Sequence, residues 1–169
     1  MSSPSFAELG VSRPVVDALS ARGITAPFPV QRLVLEDLLA GHDVMCKSPT
    51  GSGKTLAFGI PIVERTAADA RRPAALVLAP TRELAQQIVE EIRHEAHSRA
   101  LKITAVYGGA GLVKQAKLAK SAHILVATPG RLIDLLDRRE VTLEHVRTLV
   151  LDEADRMLDM GFKPQVDKI

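Results

Sequence analysis

Two short segments of this chain could together handle a nucleoside triphosphate. Gly51-Ser52-Gly53-Lys54-Thr55 is a glycine-rich loop closed by a lysine and a hydroxyl residue. Glycines let a backbone turn its N–H groups onto an anion, and a following helix adds the positive end of its dipole. Lys54 would then reach the β- and γ-phosphates, and the Thr55 hydroxyl would help hold Mg²⁺. Ser48 heads the loop, where the strict pattern has glycine. Far downstream, Asp152 and Glu153 close an apolar run. Asp152 could order the waters around Mg²⁺, and Glu153 could orient and deprotonate an attacking water. Taken alone, both are ordinary helix-capping residues ahead of Met157 and Leu158. The loop upstream makes catalysis the favoured reading.

Such groups need a scaffold. Apolar, β-branched-rich runs at 43–46, 75–79, 102–107, 123–127 and 147–151 read as strands. Helical spacing fills the gaps: Leu84, Ile88 and Ile92 share one face, with Thr81 as N-cap, and Leu132, Leu135 and Leu136 repeat the pattern after Thr128-Pro129-Gly130. Two more helical patterns, 12–21 and 30–40, precede them. Strands alternating with helices predict an α/β domain with a mostly parallel sheet covered on both faces. Ligands of such sheets sit beyond the carboxyl ends of the strands. The segments 48–55, 80–85, 108–109, 128–131 and 152–155 all fall there, which predicts one shared site.

Composition sets wider limits. At 169 residues and 46% hydrophobic content, the chain suits one domain. A net charge of +2 permits a polyanionic partner without arguing for one. Cys46 is the single cysteine, which excludes an intramolecular disulfide, and it is expected in the core. His42, His94, His97, His123 and His145 lack metal-ligand spacing and are expected at the surface or in packing. Residues 1–8 lack the features of a secretory signal, and no segment approaches the ~20 apolar residues of a membrane span. The expectation is a soluble, cytoplasmic protein.

Asp152-Glu153-Ala154-Asp155, continuing as Arg156-Met157-Leu158-Asp159-Met160-Gly161-Phe162, resembles the signature segment of the DEAD-box RNA helicases. Ser48-Pro49-Thr50-Gly51-Ser52-Gly53-Lys54-Thr55 is similar to that family's phosphate loop, which usually starts on a small residue. Pro80-Thr81-Arg82-Glu83-Leu84-Ala85, Gly108-Gly109 and Thr128-Pro129-Gly130-Arg131 resemble its RNA-contacting motifs, in the family's order. Residues 23–31, ending in Gln31, resemble its adenine-reading Q motif, with Phe6 at the expected upstream distance. Phe28 departs from the small polar residue usual between the two prolines.

The resemblance implies a three-layer RecA-like P-loop domain, incomplete over 41–169, with a helical segment carrying the Q motif at 1–40 as part of the same domain. It implies ATP and Mg²⁺ as cofactors. Phe6, Gln31, Ser48, Thr50, Gly51, Ser52, Gly53, Lys54 and Thr55 would hold the nucleotide. Thr55 and Asp152 would serve the metal, partly through water, and Lys54, Asp152 and Glu153 the hydrolysis. Gln31 would hydrogen-bond adenine, an edge that suits an amide's donor and acceptor, and Phe6 would pack on the base. Pro80, Thr81, Arg82, Gly108, Gly109, Thr128, Pro129, Gly130 and Arg131 would contact RNA through its backbone, indifferently to base sequence. Aromatic stacking platforms are not evident.

The family's second helicase domain and its Ser-Ala-Thr motif are absent after Asp155. In folds that resemble this one, the strand bearing that motif lies between the phosphate-loop strand and the Asp-Glu strand. The sheet is therefore expected to have a vacancy at its centre that exposes unpaired backbone groups and apolar side chains. Two other readings stand beside a truncated helicase: a non-catalytic RNA-binding fragment, and another P-loop enzyme such as a GTPase. The guanine-reading Asn-Lys-x-Asp segment is not found.

Overall fold

Apolar spacing alone builds the first helices. The computed structural model describes residues 3–169, which divide into two units: residues up to Ala67 with Glu91–Leu101, and Ala68–Glu90 with Lys102–Ile169. The first unit carries α1 (Arg13–Ala21), α2 (Pro29–Ala40) and α3 (Lys54–Arg65). The end of α4 (Arg82–Ser98) also belongs to it. Val15 and Leu19, one turn apart on α1, are fully buried. Pro29 opens α2 with its φ already helical, and left-handed Gly41 closes it. Val30, Val34 and Leu38 then pack with Ala57 of α3. Each such burial contributes about 1.5–3 kcal/mol for a full-sized apolar side chain. Helix α3 keeps a glycine inside it because a Cβ on Gly59 would stand 2.7 Å from Ile92 of α4.

Charge is also enclosed in this unit. Arg22, just past α1, donates to the fully buried Glu95 at 2.7 Å and to the Glu91 carbonyl at 2.8 Å. Glu64 accepts from the Ser12 amide and hydroxyl and from Arg99 at 2.7–2.9 Å. Near the N-terminus, the Ser5 amide and hydroxyl bind Glu8. The amide first and the hydroxyl second hold the Glu8 carboxyl below the usual carboxylate range. This turn carries Phe6, which is 2% exposed.

The expected strand at 43–46 does not form. These residues have no regular secondary structure and no strand partner among the described residues. Val44 and Met45 are exposed, and so is Cys46, contrary to the expectation of a core thiol. Apolar content favours a strand only where a neighbouring ladder accepts its N–H and C=O groups. The helices expected at 12–21 and 30–40 are α1 and α2.

The second unit holds the sheet. Strands β1 (Ala75–Leu78), β2 (Ile103–Val106), β3 (Ile124–Ala127) and β4 (Thr148–Leu151) are parallel, in the order β2-β3-β1-β4. Central β1 and β3 are buried along their whole length, as their unbroken apolar runs require. Leu76, Leu78 and Leu125 pack with Ala116 and Ala119 of α5 (Leu112–Ser121) and with Leu132 and Leu135 of α6 (Pro129–Asp137). Right-handed crossovers place the connection through α4 on the opposite face, where Ala85 and Ile88 are fully buried. Met157 of α7 (Ala154–Asp159) joins the core, and α8 (Lys163–Lys168) follows. Strand β4 is an edge, with Leu149 55% and Leu151 42% exposed. His123 proves to be a packing residue: Nδ1 accepts the Lys102 amide and Nε2 donates to the Ala68 carbonyl, both at 2.9 Å. No helix among the described residues is long and apolar enough to cross a membrane.

Arg22→Met is expected to lower unfolding free energy by about 3 kcal/mol, because it leaves Glu95 charged and enclosed without its cation. Urea denaturation followed by circular dichroism measures this, and a loss under 1 kcal/mol would contradict the role given to the pair.

Candidate functional site

Parallel pairing brings the ends of the strands together. Leu78 of β1 is level with Ala127 of β3 and Leu151 of β4, and Val106 of β2 with Ala127. The residues that follow therefore leave the sheet from one edge: Pro80-Thr81-Arg82, Gly108-Gly109, Thr128 to Arg131, and Asp152-Glu153. Four of the five predicted segments share that edge within the second unit. The fifth, 48–55, lies in the first.

Each turn has its own chemistry. Thr81 caps α4 as expected, its hydroxyl accepting the Leu84 amide at 3.2 Å. Exposed Arg82 holds its guanidinium 5.2 Å from the centre of the Tyr107 ring. The Tyr107 hydroxyl accepts from Gln86 at 3.0 Å. Thr128 is the N-cap of α6, and its side chain makes no cap hydrogen bond. Arg131 is enclosed instead, its side chain 12% exposed. It donates to the Ala110 carbonyl at 3.0 Å and to Gln115 at 2.8 Å, while the same Gln115 oxygen accepts the Tyr107 amide at 3.1 Å. Arg131 and Gln115 thus hold the Gly108-Gly109 turn through its flanking residues, Tyr107 and Ala110. Gly109 is left-handed, with φ of 82°, and a side chain at either glycine would meet nothing within 4 Å. An approaching backbone has open room there.

At the end of β4, Asp152 is 4% exposed and its amide donates to the Leu78 carbonyl at 3.0 Å. Glu153 stands in the left-handed region, φ 51° and ψ 49°, and ion-pairs with Arg156 at 3.2 Å. A residue with a Cβ pays about 1–2 kcal/mol for that conformation. Strain of this kind concentrates at functional positions.

In the first unit, Gly51 and Gly53 are both left-handed, and Gly53 starts α3 without a side-chain cap. A helix N-terminus that follows such a glycine turn suits an anion. The Ser48 hydroxyl donates to that of Ser52 inside the loop. Gln31 ties the loop to α2: Oε1 accepts the Phe28 amide at 2.9 Å and Nε2 donates to the Gly53 carbonyl at 3.0 Å. A side chain on Gly53 would press within 2.4 Å of Phe28 and 2.7 Å of the Gln31 amide. These donors fit a polyphosphate. A metal has no ready cage, since no group of three or more His, Cys, Asp or Glu side chains among the described residues could hold one.

Sequence reasoning missed the Arg82–Tyr107–Gln86 cluster and the Gln115–Arg131 brace. The available signal was the chain's one tyrosine standing directly before Gly108-Gly109.

A parallel sheet with motif-bearing turns on one edge and a glycine loop heading a helix define an α/β nucleotide-handling fold. The family model for DEAD/DEAH box helicases matches residues 28–169, and the chain belongs to that family. It is 45% identical to DEAD-box ATP-dependent RNA helicase 52A of Oryza sativa subsp. japonica, covering 97% of this chain and 30% of that protein. It is 43% identical to DEAD-box ATP-dependent RNA helicase CshA of Streptococcus pneumoniae, covering 97% and 32%. A DEAD box protein from the hyperthermophile Methanococcus jannaschii superposes with a TM-score of 0.92 at 38% identity, covering 97% of this chain and 45% of that one. The RNA helicase Prp28 from Chaetomium thermophilum bound to ADP gives 0.91 at 37%, covering 99% and 42%. The chain thus spans less than half the length of these relatives.

Gly53→Ala is expected to destabilise the first unit by at least about 1–2 kcal/mol, from its left-handed backbone and the contact with Phe28. Glu153→Gly has the opposite sign, relieving about 1 kcal/mol of backbone strain. Urea midpoints check both, and equal shifts in one direction would refute this assignment of strain.

Proposed function

We propose that this chain is the N-terminal ATP-binding part of a DEAD-box RNA helicase, which in the full-length protein couples ATP binding and hydrolysis to RNA binding and duplex remodelling. The observation that carries this reading is the pair of left-handed glycines heading an uncapped α3 in a chain of this family. Backbone N–H groups at Gly51 to Lys54 and the hydroxyls of Ser48, Thr50 and Ser52 receive the phosphates. Lys54 neutralises their charge, and Gln31, buried and bonded to the Phe28 amide and the Gly53 carbonyl, offers its amide to adenine by exchanging these partners. Phe6, 2% exposed, packs on the base only once its turn uncovers the ring. Mg²⁺, which keeps several waters and takes few carboxylates, would draw on Thr55 and Asp152 and would supply charge neutralisation at the phosphates. Glu153 takes the proton of the attacking water.

RNA lies along the turns at Pro80 to Arg82, Gly108-Gly109 and Thr128 to Arg131. Exposed Arg82 meets a phosphate directly, and Thr128 offers its uncommitted hydroxyl. Arg131 acts through the Gly108-Gly109 turn that it holds. Contacts of this kind bind backbone and ignore base identity. A second helicase domain of the parent protein completes the hydrolytic site, and the parent is cytoplasmic.

Calorimetry with ADP tests nucleotide binding by this chain. Wild type is expected to bind, and Lys54→Ala to lose at least about tenfold in affinity, equal to 1.4 kcal/mol. GTP binding more tightly than ATP would revive the GTPase reading. In the full-length parent, Glu153→Gln is expected to abolish RNA-stimulated turnover while sparing nucleotide affinity, so robust turnover by that variant would remove Glu153 from its role.

A further inference from the structure

We propose that Tyr107 is a positioning residue for RNA binding, holding the Arg82 guanidinium where a phosphate of the strand will meet it. This rests on the reading above that Arg82 contacts RNA.

The cluster is fixed from three sides. The backbone amide of Tyr107 donates to Gln115 at 3.1 Å, and Gln115 is buried and also held by Arg131. Its hydroxyl accepts from Gln86, one turn along α4 from Arg82, at 3.0 Å. The ring then carries the Arg82 guanidinium 5.2 Å from its centre. A free arginine on an exposed first turn would sample many rotamers and lose that freedom on binding. A cation resting on an aromatic face keeps its N–H donors at the rim, so it can turn them to a phosphate without leaving the ring. Tyr107 also immediately precedes Gly108-Gly109, so the ring and the open turn lie next to one another in the chain. The side chain thus joins two of the proposed RNA-contacting segments, which leave the sheet from different strands.

The chain has one tyrosine and no tryptophan, so its intrinsic emission reports Tyr107 alone. The test titrates an unstructured oligouridine into the chain at several salt concentrations while following this emission. Each phosphate contact contributes roughly 0.7 to the slope of log affinity against log salt. Arg82→Ala is expected to reduce the wild-type slope by about 0.7. Tyr107→Leu should lose the same amount, and the double variant no more than Arg82→Ala alone; oligonucleotide anisotropy replaces tyrosine emission for variants lacking the ring. Tyr107→Phe, which keeps the ring and the fold, should retain the full slope. A full slope in Tyr107→Leu, or equal losses that add in the double variant, would overturn the proposal while leaving Arg82 as an RNA contact. No salt-dependent binding by wild type would instead overturn the RNA-binding reading, and this proposal with it.

Discussion

The common register of four short parallel strands is the constraint on which the rest of the second unit depends. Each strand is four residues long, and their last residues stand level across the sheet. Side chains alternate between faces with a period of two, so a slip of one residue would move Leu76, Leu78 and Leu125 off the face packed against α5 and α6 and onto the opposite one. Burial on both faces of β1 and β3 therefore fixes the register. The register in turn decides where Thr81, Tyr107, Thr128 and Asp152 leave the sheet. Apolar packing with no chemistry of its own thus brings four polar turns to one edge.

Within that edge, two arginines that look alike in sequence are used differently. Arg131 spends its donors on Ala110 and Gln115 and is largely enclosed, whereas Arg82 lies over an aromatic ring in the open. A guanidinium has a fixed fork of donors, and a carbonyl and an amide oxygen that already occupy it leave little for a ligand. Glu153 shows a different economy. Its left-handed backbone stores strain that a glycine would relieve, yet the position carries a carboxylate.

Much of this was legible in the sequence, because periodicity and local capping are local properties. Four of the five apolar runs became strands, Thr81 capped its helix, and Leu132 and Leu135 faced the core as their spacing required. Residues 43–46 misled for a non-local reason. Their composition suits a strand, but a strand exists only with a ladder beside it, and Met45 and Cys46 are exposed without one. The pairings of Arg82 with Tyr107 and of Gln115 with Arg131 were illegible for the same reason. Each joins segments separated by a strand or a helix, and no spacing rule links them.

The open side of β4 has a consequence for handling the protein. A strand that shows Leu149 and Leu151 beside free backbone groups is a template on which a second chain can add, the elementary step of aggregation. Natural sequences flank such strips with charged gatekeepers. Here Arg147 stands before the strand and Asp152-Glu153 after it. Of the two carboxylates proposed for hydrolysis, Asp152 is buried, and only Glu153 stands where a gatekeeping charge would. Neutralising Glu153 therefore alters colloidal behaviour as well as chemistry, and a lost signal from such a variant means inactivity only when the protein is still in solution.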